Sequence, residues 1–421
     1  MKFLAVAAGL LVSSGCGQGE APGPGGDGTG DGEDGVAADV AARDASSAFA
    51  VLRSGHRDHD HGGGPRAVRR ALGAVADRLA ALQADTIGDN ARNGLADADP
   101  DDGGWDFIIA PTATEHAAAK SPTNLFGNIG LAAWAGVVTD SAGNRALVTA
   151  LDAGIAMQRD ADIDSGPDFV FGVLLGELAD NPGFAVIARA HYDAKRAAQG
   201  NAAGLGAFIR DSRHAVKEDG LIPYDVGWFA LAAAALDSAF PGAGYDQDAA
   251  TYAQIVVDDL TAATPRFDFR DPSEQFYITG VAWAQVSAAW LGDRDLLGQI
   301  RAQLLSQQHT DGAWPDSAAS PGDDLQATAH ALQTLALTDR GSASARRAER
   351  RASRWLLGNQ AASGGWVDAA NHELPLVDAD IAIGLMLART EAGEDGLVPG
   401  TPLDGGRRRA DSPSRAASPA Q

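Results

Sequence analysis

Two short phrases of the sequence share one pattern: QHTDGAW at residues 308–314 and QAASGGW at residues 360–366. In each phrase a Gln stands four residues before a Gly, and a Trp follows that Gly by two positions. The 421-residue chain has only eight Trp, so a Trp repeated at one spacing indicates a repeated structural unit. The helical patterns on either side of the phrases support this interpretation.

The match between the two segments extends beyond the phrases themselves. Gln308 and Gln360 are 52 residues apart, and three further residues match at the same offset. Leu304, Leu305 and Asp316 correspond to Leu356, Leu357 and Asp368. Apolar helix starts precede both phrases, and a third such start, VDADIAIGLMLA, follows the second phrase. The predicted unit is therefore a buried helix, a peripheral helix and a Gln-Gly-Trp turn.

The folded body is predicted to be all-α. Apolar residues recur at spacings of three and four in Ala- and Leu-rich runs, separated by short Gly, Pro and Asp stretches. Some runs, such as residues 227–236, are apolar on every side, whereas SASARRAERRASRWLL keeps a broad charged face. All-apolar helices are buried and one-faced helices are peripheral, so the pattern favours two concentric layers of hairpins. Helix starts are predicted at Pro167-Asp168 and at Asp271-Pro272, the latter with Glu274 completing a capping box.

The repeated phrases resemble the QW motif of the terpenoid cyclase and protein prenyltransferase superfamily, with its prenyltransferase/squalene-oxidase repeats. The resemblance is specific over residues 273–390 and only suggestive over residues 90–270. It implies an α/α toroid of about six helical hairpins, in which outer helices wrap a ring of inner helices. The structural motif residues are Gln308, Gly312, Trp314, Gln360, Gly364 and Trp366. A Gln can satisfy free backbone groups at a helix end, a Gly allows a left-handed turn, and a Trp covers the joint.

The N-terminus is similar to a bacterial lipoprotein signal. Lys2 precedes an apolar stretch over residues 3–12, and small residues then lead to Cys16, the only cysteine. The resemblance implies lipidation of Cys16 and an envelope location, at the outer rather than the inner membrane. An ordinary secretory signal, which would leave the protein secreted, is the alternative. We predict a signal peptide at 1–15, a Gly/Asp-rich tether at 16–36, the toroid at 37–395 and a disordered tail at 396–421.

The composition argues against several functions. A formal net charge of −23 is unsuited to nucleic acid, because phosphate contacts require clustered Lys and Arg. Zinc-dependent prenyl transfer and thioester chemistry in the superfamily both need a Cys, and Cys16 lies outside the predicted toroid. The Asp-x-Asp-Asp acid motif of triterpene cyclases corresponds here to PGDDLQ, which keeps Asp323 and Asp324 but has Pro321 at the first position. Terpene cyclase activity is therefore not expected.

Polar residues open most of the predicted inner helices and form the candidate ligand-binding set. This set comprises Asp168, Tyr224, Trp228, Glu274, Tyr277, Asp378 and Asp380. A carboxylate rim of this kind would suit Ca²⁺ or an acid/base pair for sugar chemistry. An Asp at a helix start is also a good N-cap, which is the structural alternative for each of them.

Two functional hypotheses remain open at this point. In the first, the toroid binds a ligand or acts as a scaffold at the envelope without the superfamily's chemistry. In the second, it is an exported polysaccharide lyase or glycoside hydrolase, for which the candidate catalytic residues are Asp225, Asp323, Asp324 and His330.

A separate stretch, HRDHDH, could bind a transition metal through His56, His59 and His61. Its neighbouring glycines and the lack of a defined ligand spacing favour a solvated loop instead.

Overall fold

The computed structural model describes residues 66–86, 166–178, 182–215, 218–338, 342–369 and 371–393. Cys16, the HRDHDH stretch, the predicted tether and the predicted tail lie outside these residues. The described part contains eleven helices and one β-hairpin. In chain order these are α1 (Arg66–Thr86), α2 (Gly166–Leu178), α3 (Gly183–Ala198), α4 (Ala202–Ala215), α5 (Leu221–Ala239), α6 (Tyr245–Thr261), α7 (Tyr277–Trp290), α8 (Arg294–Ser306), β1 (Trp314–Ser317), β2 (Ser320–Asp324), α9 (Leu325–Thr338), α10 (Ala343–Gly358) and α11 (Pro375–Gly393).

The helices form the two layers that the hydrophobic pattern predicts. The inner layer consists of α2, α5, α7, α9 and α11, and each of these helices packs against the next. Their sequences are apolar on all sides, and in α7 every residue except Ala289 is buried. The outer helices bury one face only: α10 buries Ala345, Ala348, Ala352 and Leu356, at the spacing of an amphipathic helix. None of the described helices is both long and apolar enough to cross a bilayer.

The first described helix packs against the last ones. Helix α1 contacts both α10 and α11, although it precedes them by almost the whole folded chain. Its apolar residues Leu72, Val75 and Leu79 are buried in the same core as the inner helices. Helix α1 therefore takes the place of the next outer helix after α10.

The first Gln-Gly-Trp turn connects the end of one outer helix to the next. Gln308 Nε2 donates to the carbonyl oxygen of Gly312 at 2.9 Å and to that of Ala348 in α10 at 3.0 Å. Gly312 has a φ of 117°, and a Cβ there would lie 2.5 Å from the backbone of Arg351. The indole Nε1 of Trp314 donates to the carbonyl oxygen of Leu304 at 2.7 Å, at the end of α8.

The second turn repeats each of these contacts. Gln360 Nε2 donates to the carbonyl oxygen of Gly364 at 2.7 Å and to that of Ala71 in α1 at 2.9 Å. Gly364 has a φ of 101°, and Trp366 Nε1 donates to the carbonyl oxygen of Leu356 at 2.7 Å. In both turns the Gln bonds carbonyl groups of two segments, the Gly adopts a positive φ, and the Trp bonds the end of the preceding outer helix.

Two local features differ from the sequence prediction. A short antiparallel hairpin, β1–β2, follows the first turn, with Trp314 opposite Asp324 and Pro315 opposite Asp323. The predicted helix start at Asp271-Pro272 is wrong, because α7 begins at Tyr277 after Phe276 in the left-handed region (φ 55°). The Asp271 side chain instead accepts the backbone N–H of Ser273 at 3.0 Å, so its capping signal is used in a local turn.

Candidate functional site

The first two turns of four inner helices meet around one buried histidine. His330 of α9 lies between Thr279 of α7 and Asp380 of α11, beneath the ring of Tyr224 from α5. We call these four residues the mouth cluster. Because each belongs to the first six residues of its helix, the N-terminal ends of the inner helices face one another here.

Both ring nitrogens of His330 have partners. Its Nδ1 lies 3.0 Å from Thr279 Oγ1, and its Nε2 lies 3.3 Å from Asp380 Oδ2. Asp380 is held in turn by Gln333, whose Nε2 donates to the Asp380 carbonyl oxygen at 2.8 Å. The imidazole is only 1% exposed, so it is fixed in place by side chains from three helices.

Aromatic rings surround the histidine on the α5 and α7 side. The Tyr224 ring centroid lies 5.0 Å from that of His330 at an interplanar angle of 35°, and 5.5 Å from that of Trp283, edge-on. Trp283 also packs against Trp228, at 4.7 Å between ring centroids. Burial and the carboxylates of Asp380 and Asp225 raise the pKa of Tyr224 well above its ordinary value, so its hydroxyl stays protonated at neutral pH.

Two carboxyl groups of the hairpin stand beside the mouth cluster. Asp324, at the end of β2, accepts the backbone N–H of Ala327 at 2.8 Å and so caps α9, while its charge interacts with His330. Asp316, on β1, has a pKa raised to about 6 by burial and by repulsion from Asp324. Burial likewise raises the pKa of Asp324. Both side chains remain partly exposed to solvent.

Asp316 was missed as a candidate site residue by the sequence analysis. It appeared there only as a position shared with Asp368 in the repeat. The available signal was its place two residues after Trp314, on a segment that leads directly into Asp323 and Asp324. Without the hairpin, nothing in the sequence brought these acids together.

Asp378 and Asp225 form separate buried ionic groups rather than part of the mouth cluster. Asp378 accepts the backbone N–H of Trp366 at 2.7 Å, and its other oxygen lies against Glu373, which Arg78 of α1 binds at 2.8 and 2.7 Å. Burial and Glu373 raise the pKa of Asp378 well above its ordinary value. Asp225 pairs with the guanidinium of Arg213, which limits the increase that burial causes in the pKa of that aspartate.

The remaining predicted residues occupy other positions. Asp168 is fully buried in the first turn of α2, which begins at Gly166 as expected. The Tyr277 hydroxyl donates to the carbonyl oxygen of Phe269 at 2.7 Å and is therefore structural. Glu274 precedes α7, and burial together with Asp219 raises its pKa. Asp323 lies next to His309, and Asp324 lies next to His330.

Only part of the site is accessible to solvent. Trp228, Trp283 and His330 are no more than 3% exposed, whereas Tyr224, Asp316 and Asp324 are partly exposed. A ligand would therefore contact the tyrosine and the two carboxyl groups, with the His330–Asp380 pair directly beneath. In the described part of the chain, a group of three possible metal ligands is formed by His309, Asp311 and Asp323, at the first Gln-Gly-Trp turn.

Comparison with known proteins supports the architecture. No family model matches the chain, and no curated protein matches it either. Among solved structures, an unsaturated glucuronyl hydrolase specific for heparin aligns with a TM-score of 0.50 at 10% identity, over 77% of this chain and 97% of that one. The fold is an α/α toroid.

A second solved structure, the type II terpene cyclase MstE from Scytonema, aligns with a TM-score of 0.43 at 15% identity. The alignment covers 76% of this chain and 99% of that one. At 10% identity, the likeness to the glucuronyl hydrolase concerns the fold alone.

Proposed function

We propose that this chain is an exported lipoprotein of the bacterial cell envelope, whose toroid binds a ligand rich in hydroxyl or amino groups at the mouth cluster. The observation that carries the binding role is the fixed His330–Asp380 pair beneath the partly exposed ring of Tyr224. Because His330 is only 1% exposed and is bonded to both Thr279 and Asp380, it fixes the positions of these neighbours and does not itself reach the surface.

The charge of the site selects the chemistry of the ligand. Asp316 and Asp324 repel each other, and Asp368 adds a further negative charge near Asp324. Carboxylates accept hydrogen bonds from hydroxyl and ammonium groups, and they repel carboxylate and phosphate groups. An aromatic ring beside such acceptors suits the flat face of a sugar. A neutral or amino-substituted glycan fits these groups better than a uronate.

A binding measurement tests this role. The full-length protein, extracted in detergent, is titrated by calorimetry with neutral, amino-substituted and uronate oligosaccharides. We expect heat of binding from the first two classes and none from the uronates. Tyr224→Ala should weaken binding at least about tenfold, whereas Phe208→Ala, which removes an exposed ring on an outer helix, should not. Binding of uronates alone, or equal binding by the two variants, would contradict the proposal.

The anchor is tested independently of the ligand. Cys16→Ser removes the proposed lipid attachment and should move the protein from the membrane fraction to the soluble fraction. The wild-type chain and a Ser14→Ala variant should remain with membranes after a high-salt wash. Membrane retention of the Cys16→Ser protein would refute lipid anchoring and leave the binding role unaffected.

A second candidate function, glycoside hydrolysis, is favoured by the Asp316–Asp324 pair. A carboxylic acid with a pKa of about 6 beside a second carboxyl group is the arrangement that divides acid and base roles in glycosidases. In this case Asp316 would protonate the leaving oxygen. Reducing ends should then appear on incubation with a neutral glycan, at a rate that falls as the pH rises through about 6. Asp316→Asn should abolish the reaction while preserving binding.

A further inference from the structure

A cluster of metal-ligand side chains lies at the first Gln-Gly-Trp turn, apart from the mouth cluster. His309 Nδ1 lies 2.7 Å from Asp323 Oδ1, and donor atoms of His309, Asp311 and Asp323 all lie within 4.8 Å of one another. Asp311 and Asp323 are exposed and His309 is partly so. We call these three residues the turn cluster.

The backbone of the turn and the hairpin fixes the three side chains in place. The His309 N–H donates to the carbonyl oxygen of Ala313 at 2.8 Å, and the Gly312 N–H donates to that of His309 at 3.1 Å. One oxygen of Asp311 accepts the backbone N–H of Ala313 at 3.2 Å. Strand pairing of Pro315 with Asp323 brings β2 alongside the turn. The donors are therefore held on hydrogen-bonded backbone rather than on free loops.

The second turn shows that the fold does not require these side chains. In that turn Ala361 replaces the histidine and Ser363 replaces the aspartate. The same backbone hydrogen bonds nevertheless form, from the Ala361 N–H to the Gly365 carbonyl oxygen at 2.9 Å and from the Gly364 N–H to the Ala361 carbonyl oxygen at 3.0 Å. A histidine and an acid have thus been added to a turn that closes without them.

We propose that the turn cluster binds a divalent transition-metal ion of the Zn²⁺ type, with His309 Nδ1 and one oxygen each of Asp311 and Asp323 as ligands. Such an ion takes nitrogen and oxygen ligands at about 2.0–2.2 Å, so its ligand atoms lie roughly 3.0–3.5 Å apart. The His309 Nδ1–Asp323 Oδ1 pair, now 2.7 Å apart, would open slightly to that spacing, and the other donor pairs, which lie within 4.8 Å, would reach it by rotation of the side chains. Water completes the coordination on the exposed side.

Other ions fit less well. Ca²⁺ takes six to eight oxygen ligands, and here one of three protein donors is an imidazole nitrogen. An anion is repelled by two carboxylates. Because β2 also carries Asp324, a bound metal would rigidify the hairpin that presents the carboxyl groups of the mouth.

The test uses the full-length chain with His56, His59 and His61 replaced by Gln, because that stretch carries histidines that could bind the same metal. Calorimetric titration with Zn²⁺ in metal-free buffer should show one equivalent bound. His309→Ala and, separately, Asp323→Asn should each weaken this binding at least about tenfold. His372→Ala is the matched control, because the Nδ1 of His372 lies 3.6 Å from one carboxylate oxygen of Asp368 near the second turn, without a third metal-ligand side chain beside the pair in the described part of the chain.

A structural readout locates the metal. Zn²⁺ should slow amide hydrogen exchange in residues 309–324 of the histidine-replaced parent, and this protection should be absent in His309→Ala. Circular dichroism and thermal melting without metal should match for the parent and all variants, which separates a lost ligand from a lost fold. Absence of Zn²⁺ binding by the parent, or binding unchanged by both His309→Ala and Asp323→Asn, would overturn the proposal.

Discussion

Gln360 and Ala71 are joined by a hydrogen bond of 2.9 Å across 289 residues of chain, from the Gln360 Nε2 to the Ala71 carbonyl oxygen. The equivalent bond of the first turn, from Gln308 to Ala348, crosses only 40 residues. The same side-chain geometry therefore fastens α10 in one case and α1 in the other. The joint of the second repeat therefore fastens α10 to α1, the first helix of the described part of the chain.

Removing the Gln360 amide should destabilise this joint. Gln360→Ala leaves the carbonyl oxygens of Ala71 and Gly364 without this donor, which costs about 1–3 kcal/mol when the groups are buried. Gln308→Ala should lower the free energy of unfolding by a similar amount. Gln307→Ala, which removes only an exposed contact to Ser306 at 3.3 Å, is the control and should lie within about 0.5 kcal/mol of wild type. Urea unfolding measures all three, and equal stabilities would refute the joint.

The glycines of the two turns should not tolerate a side chain. A Cβ at Gly364 would lie 2.4 Å from the Ala74 carbonyl oxygen, and the φ of 101° is itself unfavourable for alanine. We expect Gly364→Ala and Gly312→Ala each to lower the free energy of unfolding by more than about 2 kcal/mol. Gly298→Ala, in the middle of α8 with open space around the new Cβ, should be neutral or stabilising by up to about 1 kcal/mol. Thermal melting compares the three, and a Gly364→Ala protein as stable as Gly298→Ala would argue against the close approach.

Stability should fall with rising pH because of Asp378. Its pKa is higher in the folded protein than in the unfolded chain, so folding favours the protonated form. That contribution is complete below the unfolded-state pKa of about 3.9 and is lost as the pH rises towards the folded-state value. Asp378→Asn keeps an acceptor for the Trp366 N–H and a donor towards Glu373, but it does not titrate. Its free energy of unfolding relative to that of the wild type should therefore increase from pH 5 to pH 8.

The matched control at the same position separates charge from hydrogen bonding. Asp378→Leu removes the acceptor for the Trp366 N–H and should be less stable than wild type at both pH values. Denaturant midpoints at pH 5 and pH 8 provide the measurement. A wild-type protein whose advantage over Asp378→Asn grows with pH would show that the carboxyl group is ionised in the fold.

Asp225 should contribute to stability rather than to chemistry. Asp225→Asn weakens the ion pair with Arg213 and leaves that guanidinium paired with Glu218. The change should lower the free energy of unfolding by roughly 1–3 kcal/mol. Asp211→Asn, which alters exposed pairs with Arg210 and Arg266, should change stability by less than about 1 kcal/mol. Ligand binding measured as above should survive both changes. Loss of binding in folded Asp225→Asn would instead return this residue to the site.

The sequence predicted those features whose partners lie close in the chain. The Gln and Trp of each turn bond to backbone groups within about ten residues, and a positive φ at the Gly follows from its lack of a side chain. The partner of Gln360 in α1 could not be predicted, because no local pattern encodes a contact across most of the fold. The alternation of buried and amphipathic helices was confirmed. It could be predicted because the distribution of apolar residues around a helix shows which of its faces are buried.

The candidate site was predicted in part. Tyr224 and Asp380 were singled out for opening inner helices and His330 as a candidate catalytic residue, yet nothing in their spacing indicated that His330 would pair with Asp380. Asp316 was missed because the hairpin that carries it is set by two short irregular segments without strand periodicity. Asp225 and Asp378 looked like site residues because their buried partners, Arg213 and Glu373, come from other elements of the fold.

The position of α1 also has a consequence for biosynthesis. Translation produces this helix first, whereas Gln360, which binds Ala71, emerges from the ribosome close to the end. During that interval the apolar face of Leu72, Val75 and Leu79 lacks the packing that α10 and α11 later supply, and such a face is a binding site for chaperones. The nascent polypeptide thus cannot form the joint between α1 and the second turn until nearly all of the described chain has been made.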